Sequence, residues 1–186
     1  ITFNMNEMAK KYDYIDLSAY KISPNEKLLA LTIDTSGAEL HKLIIKVIKT
    51  GEILDDNLSN LDGSVEWAND NKTLFYTVLD KAHRSYQLWR HELGNEQSDD
   101  ILVFQEDDDR FYVGLHRTKS GKFLKMDLES QITTEVYLLD RNDPFGEWKL
   151  VQPREQGVEY YVYHHGDYLY QITNKDAINF KMIRRT

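Results

Sequence analysis

The sequence predicts an all-β fold, a partial β-propeller of about three complete four-stranded antiparallel blades followed by an incomplete fourth. Strand-length runs rich in aliphatic and aromatic residues alternate with clusters of turn residues along nearly the whole chain. The layout also keeps a period. Residues opening each second strand, Lys27, Lys72, Lys122 and Asp167, are spaced 45, 50 and 45 apart, and third-strand centres Ile45, Trp89, Tyr137 and Lys181 are spaced 44, 48 and 44. A period of roughly 40 to 50 residues with four strands per unit is that of a propeller blade. Finally, strands such as Leu28-Leu29-Ala30-Leu31 and Leu74-Phe75-Tyr76 are apolar on both faces, as strands covered from both sides are. A β-sandwich of irregular strands competes, but nothing in a sandwich makes spacing repeat every four strands.

Residues 1–11 form a lead-in, in which Met5, Met8 and Ala9 stand at helical spacing. Residues 12–186 form the partial propeller, with approximate blades 12–56, 57–106, 107–153 and 154–186. In the first blade, strands are expected at Tyr14 to Ile22, Lys27 to Ile33, Leu43 to Ile48 and a short Glu52 to Leu54. Their connections are Ser23-Pro24-Asn25-Glu26, Asp34-Thr35-Ser36-Gly37 and Lys49-Thr50-Gly51. The second blade takes a strand ending at Trp67, then Lys72 to Val78, Gln87 to His91 and Ile101 to Gln105. The third takes Arg110 to Val113, Lys122 to Met126, Glu135 to Leu139 and Lys149 to Val151. The fourth takes Val158 to Tyr163, a turn at His164-His165-Gly166-Asp167, then Tyr168 to Ile172 and Phe180 to Ile183, one strand short.

Composition narrows the function. Net charge is −8, from 31 acidic and 23 basic residues. That argues against nucleic acid, whose binding requires clustered cations, and leaves a basic peptide allowed as a partner. There is no cysteine, so disulfides, thiolate nucleophiles and cysteine metal sites are excluded, and a cytoplasmic setting is the expectation. No run reaches the ~18 apolar residues of a membrane helix, so no membrane partner is expected. The start, Ile1-Thr2-Phe3-Asn4, lacks an initiator Met and a signal-peptide pattern, and reads as cut from a longer chain.

Several long strings carry a resemblance. Gly63 to Asp70 (GSVEWAND), Leu74 to Thr77, Tyr86 to His91 with Leu93-Gly94, Ser23-Pro24 with Leu28 to Ala30, and Asp34 to Gly37 belong to it. So do Thr118 to Ser120, Ser130 to Leu139, and Pro153-Arg154 leading to Gly157 to Tyr160. Together they resemble the propeller domain of the prolyl oligopeptidase family, in its oligopeptidase B (protease II) branch. The likeness spans the chain from Met5 onward. It implies a seven-bladed propeller paired with an α/β-hydrolase domain, and a parent serine peptidase of short peptides that cleaves after Arg or Lys. This chain would be the non-catalytic portion that caps the catalytic domain and shuts out folded proteins. Its implied partners are the missing catalytic domain and, for the parent, short basic peptides. A self-standing propeller interaction module is the alternative. Unpaired strand edges at a truncated propeller are expected to drive self-association.

No catalytic, cofactor or metal residue is assigned. A hydrolase of that family needs Gly-x-Ser-x-Gly, and no Gly-x-Ser occurs; Gly63-Ser64 reads as a turn. His91-Glu92-Leu93-Gly94-Asn95 begins like a zinc motif but ends in Asn on a strand. His41, His83, His91, His116, His164 and His165 read as surface or strand-packing residues, and Glu106 to Asp109 as a solvated connection without the alternating oxygens of a calcium loop. Asn57-Leu58-Ser59 and Asn71-Lys72-Thr73 match glycosylation acceptors, a short pattern that means little without a secretory signal. Tyr160, Tyr161, Tyr168 and Tyr170 read as packing between blades. Arg84 and Arg90 are free to pair with acids on a neighbouring domain.

Overall fold

The computed structural model describes residues 3–185, so the first two residues of the lead-in and Thr186 lie outside it. A five-residue helix, α1 (Met5–Ala9), follows Asn4, whose side chain accepts a hydrogen bond from the Asn6 amide and caps it. After it the chain is strand and turn, apart from one 3-10 turn at Gln97–Asp99. Sheet 1 holds β1 (Asp16–Ile22), β2 (Leu28–Asp34) and β3 (Lys42–Val47). Sheet 2 holds β4 (Leu61–Trp67), β5 (Thr73–Leu79), β6 (Ser85–Glu92) and β7 (Ile101–Gln105). Sheet 3 holds β8 (Tyr112–Arg117), β9 (Phe123–Glu129), β10 (Thr134–Asp140) and β11 (Lys149–Gln152). Sheet 4 holds β12 (Tyr160–His165), β13 (Tyr168–Thr173) and β14 (Lys181–Arg185). Each sheet is an antiparallel meander in chain order.

The fourth strand expected at Glu52 to Leu54 is corrected to one bridge, Ile53 to Lys46. The Val47 amide donates to Glu52 O and the Leu54 amide to Ile45 O, so pairing begins, but the chain then leaves toward sheet 2. The turn expected at His164-His165 also moves. Both histidines belong to β12, His165 pairs with Tyr168, and only Gly166 and Asp167 form the turn. Gly166 supplies φ +59° at the first of those two positions, where glycine is favoured.

The sheets pack face to face in chain order, and the apolar strands lie at these contacts. Between sheets 1 and 2 sit Ala30, Ile45, Leu58, Leu61, Trp67 and Leu74. Between sheets 2 and 3 sit Phe75, Leu88, Val113, Leu124 and Met126, with Trp148 edge-on to Phe75 at 5.7 Å. Between sheets 3 and 4 sit Val136, Leu138, Tyr160 and Val162. In β5, Leu74 and Tyr76 face one core and Phe75 the other, which is why that strand is apolar throughout.

Where β1 approaches β4 the backbone must come unusually close. Gly63 has φ +111°, and a Cβ there would lie 2.3 Å from Ser18 Oγ. Its carbonyl accepts from Thr32 Oγ1 at 2.6 Å. Gly63 therefore stands inside β4, not in the turn its sequence suggested. Gly63→Ala is expected to destabilise the fold by about 2 kcal/mol, because strain at positive φ and overpacking add. Chemical denaturation would measure it, and a change below about 0.5 kcal/mol would contradict the close approach.

Candidate functional site

The polar groups with the most definite geometry lie at the sheet junctions. Arg84 leaves the turn before β6 and is buried. Its Nε donates to Asp80 Oδ2 at 2.9 Å, and Nη1 to Asp108 O and Phe111 O, each at 2.9 Å, so it fastens the Glu106–Phe111 connection to sheet 2. Hydrogen bonds from the Arg84 backbone and side chain hold the Asp80 carboxyl below its ordinary value. Arg154 fastens the same connection from the other side. Its Nη2 donates to Glu106 Oε2 at 2.6 Å, its Nε donates to Glu135 Oε2, and its guanidinium lies 4.0 Å over the Phe111 ring. Burial opposes the Arg154 charge, but Glu106 and Glu135 outweigh it and raise its pKa.

Arg141, also buried, donates to Trp67 O at 3.0 Å and to Gly121 O at 2.9 Å, joining sheets 2 and 3. Lys21 on β1 meets Glu66 on β4 at 2.5 Å. Tyr160 joins sheets 3 and 4: its hydroxyl accepts from the Val136 amide at 2.8 Å and donates to Gln152 O at 2.5 Å.

These contacts revise several expectations. Arg84 is not free to meet a neighbouring domain, because its donors are used inside the chain. Arg90 donates to Pro144 O and lies 4.5 Å over the Phe145 ring. Glu106 is buried beside Arg154, so the acidic run is not simply solvated, although Asp108 pairs with exposed Arg110 at 2.6 Å. Asn57 is exposed and Asn71 half-buried in a turn, with φ 63°.

Tyr161 stacks on Phe180, Tyr168 lies under Arg184, and Tyr170 is half-buried on β13. His83 and His165 are exposed, and His116 Nε2 lies 3.8 Å from Asp127. His41 is buried with no aligned hydrogen bond at either ring nitrogen; its Nε2 lies 3.5 Å from Asp16. His91 is fully buried between Asp56 and Asp100.

Among the described residues one serine meets a histidine: Ser120 Oγ lies 2.8 Å from His164 Nδ1, and the ring packs edge-on against Phe123. Burial, then Lys122 and His165, lowers the His164 pKa. Among the described residues no carboxylate pairs with that ring to orient it, so the third member of an acyl-transfer triad is lacking there. The surface of the described residues also carries two concavities. One of about 1060 Å³ lies on the side of sheet 1 turned away from the sheet 1–sheet 2 core, lined by Tyr20, Ile22, Leu29 and Arg117 among others. The other, about 600 Å³, lies between sheets 3 and 4, lined by Phe123, Leu138, Asp143 and Arg185 among others. Neither is lined by a histidine. The geometry suits rigid joining of sheets and shows no acyl-transfer site among the described residues.

Comparison with known proteins agrees with this arrangement. The model of the prolyl oligopeptidase N-terminal β-propeller domain matches residues 1–186. The chain is 34% identical to Protease 2 of Moraxella lacunata over 186 residues, covering 99% of the chain and 27% of that protein. It is also 34% identical to dipeptidyl aminopeptidase BI of Pseudoxanthomonas mexicana, covering 98% and 25%. Among solved structures, oligopeptidase B of Leishmania major superposes with a TM-score of 0.91 at 29% identity, covering 98% of this chain and 26% of that one. Oligopeptidase B of Trypanosoma brucei, with covalently bound antipain in a closed form, gives 0.89 at 31% identity, covering 100% and 26%. The chain thus spans about a quarter of the length of the relatives it matches.

Proposed function

The chain belongs to the prolyl oligopeptidase N-terminal β-propeller family, and from it we propose a non-catalytic propeller portion of an oligopeptidase B-like serine peptidase. Residues 1–186 would cap the catalytic domain of a longer parent and limit entry to short peptides, and the parent would cleave after Arg or Lys. The observation that carries this reading is the superposition of nearly the whole chain on two oligopeptidase B structures, each about four times as long. The junctions support it, because a cap that excludes folded proteins must hold its own shape, and Arg84, Arg141 and Arg154 tie neighbouring sheets together. The absence of cysteine fits a parent working in a reducing compartment.

The test is a peptidase assay on the longer parent and on the 186-residue chain. The parent should hydrolyse short amides after Arg or Lys and leave a folded protein intact, while the chain alone shows no turnover above a heat-killed control. Turnover by the chain alone, or a parent that cleaves only after other residues, would overturn the proposal.

A further inference from the structure

The segment of residues 55–60 runs as a strap from the edge of sheet 1 to the edge of sheet 2. Leu58 fills the core between those sheets, and its carbonyl accepts from the Leu43 amide at 2.9 Å. Ser59 and Gln97 exchange two hydrogen bonds, each of 3.0 Å. The remaining anchor is Asp56, whose Oδ1 accepts from the Gly94 amide at 2.6 Å and lies 3.3 Å from His91 Nε2. On the other side of the same ring, Nδ1 lies 2.7 Å from Asp100 Oδ1. Asp100 in turn accepts from the Tyr76 hydroxyl at 2.8 Å.

A neutral imidazole has one N–H and one bare nitrogen. Here both nitrogens face carboxylate oxygens, so a neutral ring would aim a lone pair at a carboxylate with no water to separate them: His91 is 0% exposed. Against two carboxylates, which only accept, the doubly protonated ring alone makes both contacts hydrogen bonds. The carboxylates are received by further donors, Gly94 N–H and Tyr76 O–H, which stabilise them as acceptors. We propose that His91 is a fixed imidazolium latching the strap, and that the junction of sheets 1 and 2 loosens when this ring gives up its proton in alkali.

Every titratable group facing the ring takes part: Asp56 from the strap, Asp100 ahead of β7, and Tyr76 from β5 behind Asp100. Burial alone would lower the His91 pKa; the hydrogen bonds and charges of Asp100 and Asp56 outweigh it and raise the value. Burial, with Asp100, pushes the Tyr76 phenol up, which keeps it a neutral donor. For a raised histidine, the contribution to stability is complete below the unfolded value of about 6.5 and fades as pH rises through the folded value. The Nε2 contact is the longer of the two, so Asp56 and the strap are released first.

Nitrogen-15 histidine spectra, with hydrogen exchange on the Leu43, Ser59 and Gly94 amides, test this. One ring should keep both protons well past the ordinary histidine range. Once it loses one, those amides should open roughly tenfold more often than the intrinsic pH dependence explains. Asp56→Asn should bring the loss to lower pH and give the same tenfold opening near neutrality; this conservative variant decides the matter should His91→Gln fail to fold. A bare ring nitrogen at His91 near pH 7, or strap protection unchanged on both sides of its titration, would overturn the latch.

Discussion

Trp67→Ala is expected to destabilise the chain by about 4 kcal/mol, within the range for deleting a large buried aromatic side chain. Trp67 is 1% exposed in the core shared by sheets 1 and 2. Its indole N–H donates to Lys21 O on β1 at 2.9 Å, and its own carbonyl accepts from Arg141 at 3.0 Å, so the residue touches three sheets. Removing the ring opens a cavity and leaves a part-buried carbonyl unsatisfied, at about 1 kcal/mol for the latter. Trp67→Phe fills most of the space and loses mainly the hydrogen bond, so a loss of about 2 kcal/mol is expected. Urea unfolding of the three proteins measures both. A loss under about 1 kcal/mol for Trp67→Ala would mean that the first two sheets do not rely on this contact.

Arg154→Ala carries the second large effect, about 3 kcal/mol. Breaking a buried ion pair typically costs about 3 to 5 kcal/mol, because the partner is left charged and unpaired. The lower end applies because the Arg154 side chain is 31% exposed and water screens it. Glu106 and Glu135, at 6% and 9%, are the groups left stranded. Neutralising all three, as Glu106→Gln, Glu135→Gln and Arg154→Met together, should recover most of the loss, since the penalty lies in uncompensated charge. If the triple variant unfolds as readily as Arg154→Ala, the cost lies elsewhere, in the cation–π contact with Phe111.

The strands were legible because their signals are local. Alternation and turn residues lie within a few positions of each other, and Ile101–Gln105 begins and ends where the sequence put it. The failures share a cause of the opposite kind. Gly63-Ser64 looks like a turn, but the reason for glycine is Ser18, 45 positions earlier, across a sheet junction. His164-His165 looks like part of a loop, yet Gly166-Asp167 suffices to reverse the chain.

Arg84 and Arg90 read as available cations because their acceptors are mostly main-chain carbonyls, which no side-chain pattern displays. Arg141 was missed for the same reason. His91 reads from the sequence as a packing histidine, because its two aspartates, 35 and 9 positions away, give no spacing to notice.

All three cores described above are party walls: each belongs to two neighbouring sheets, and none is enclosed by a single one. A terrace built that way cannot have one house swapped without re-cutting the masonry next door. Substitutions in such a chain should therefore be accepted in matched sets that straddle a junction, and a sheet grafted in from a relative should settle only if its neighbours' facing side chains travel with it.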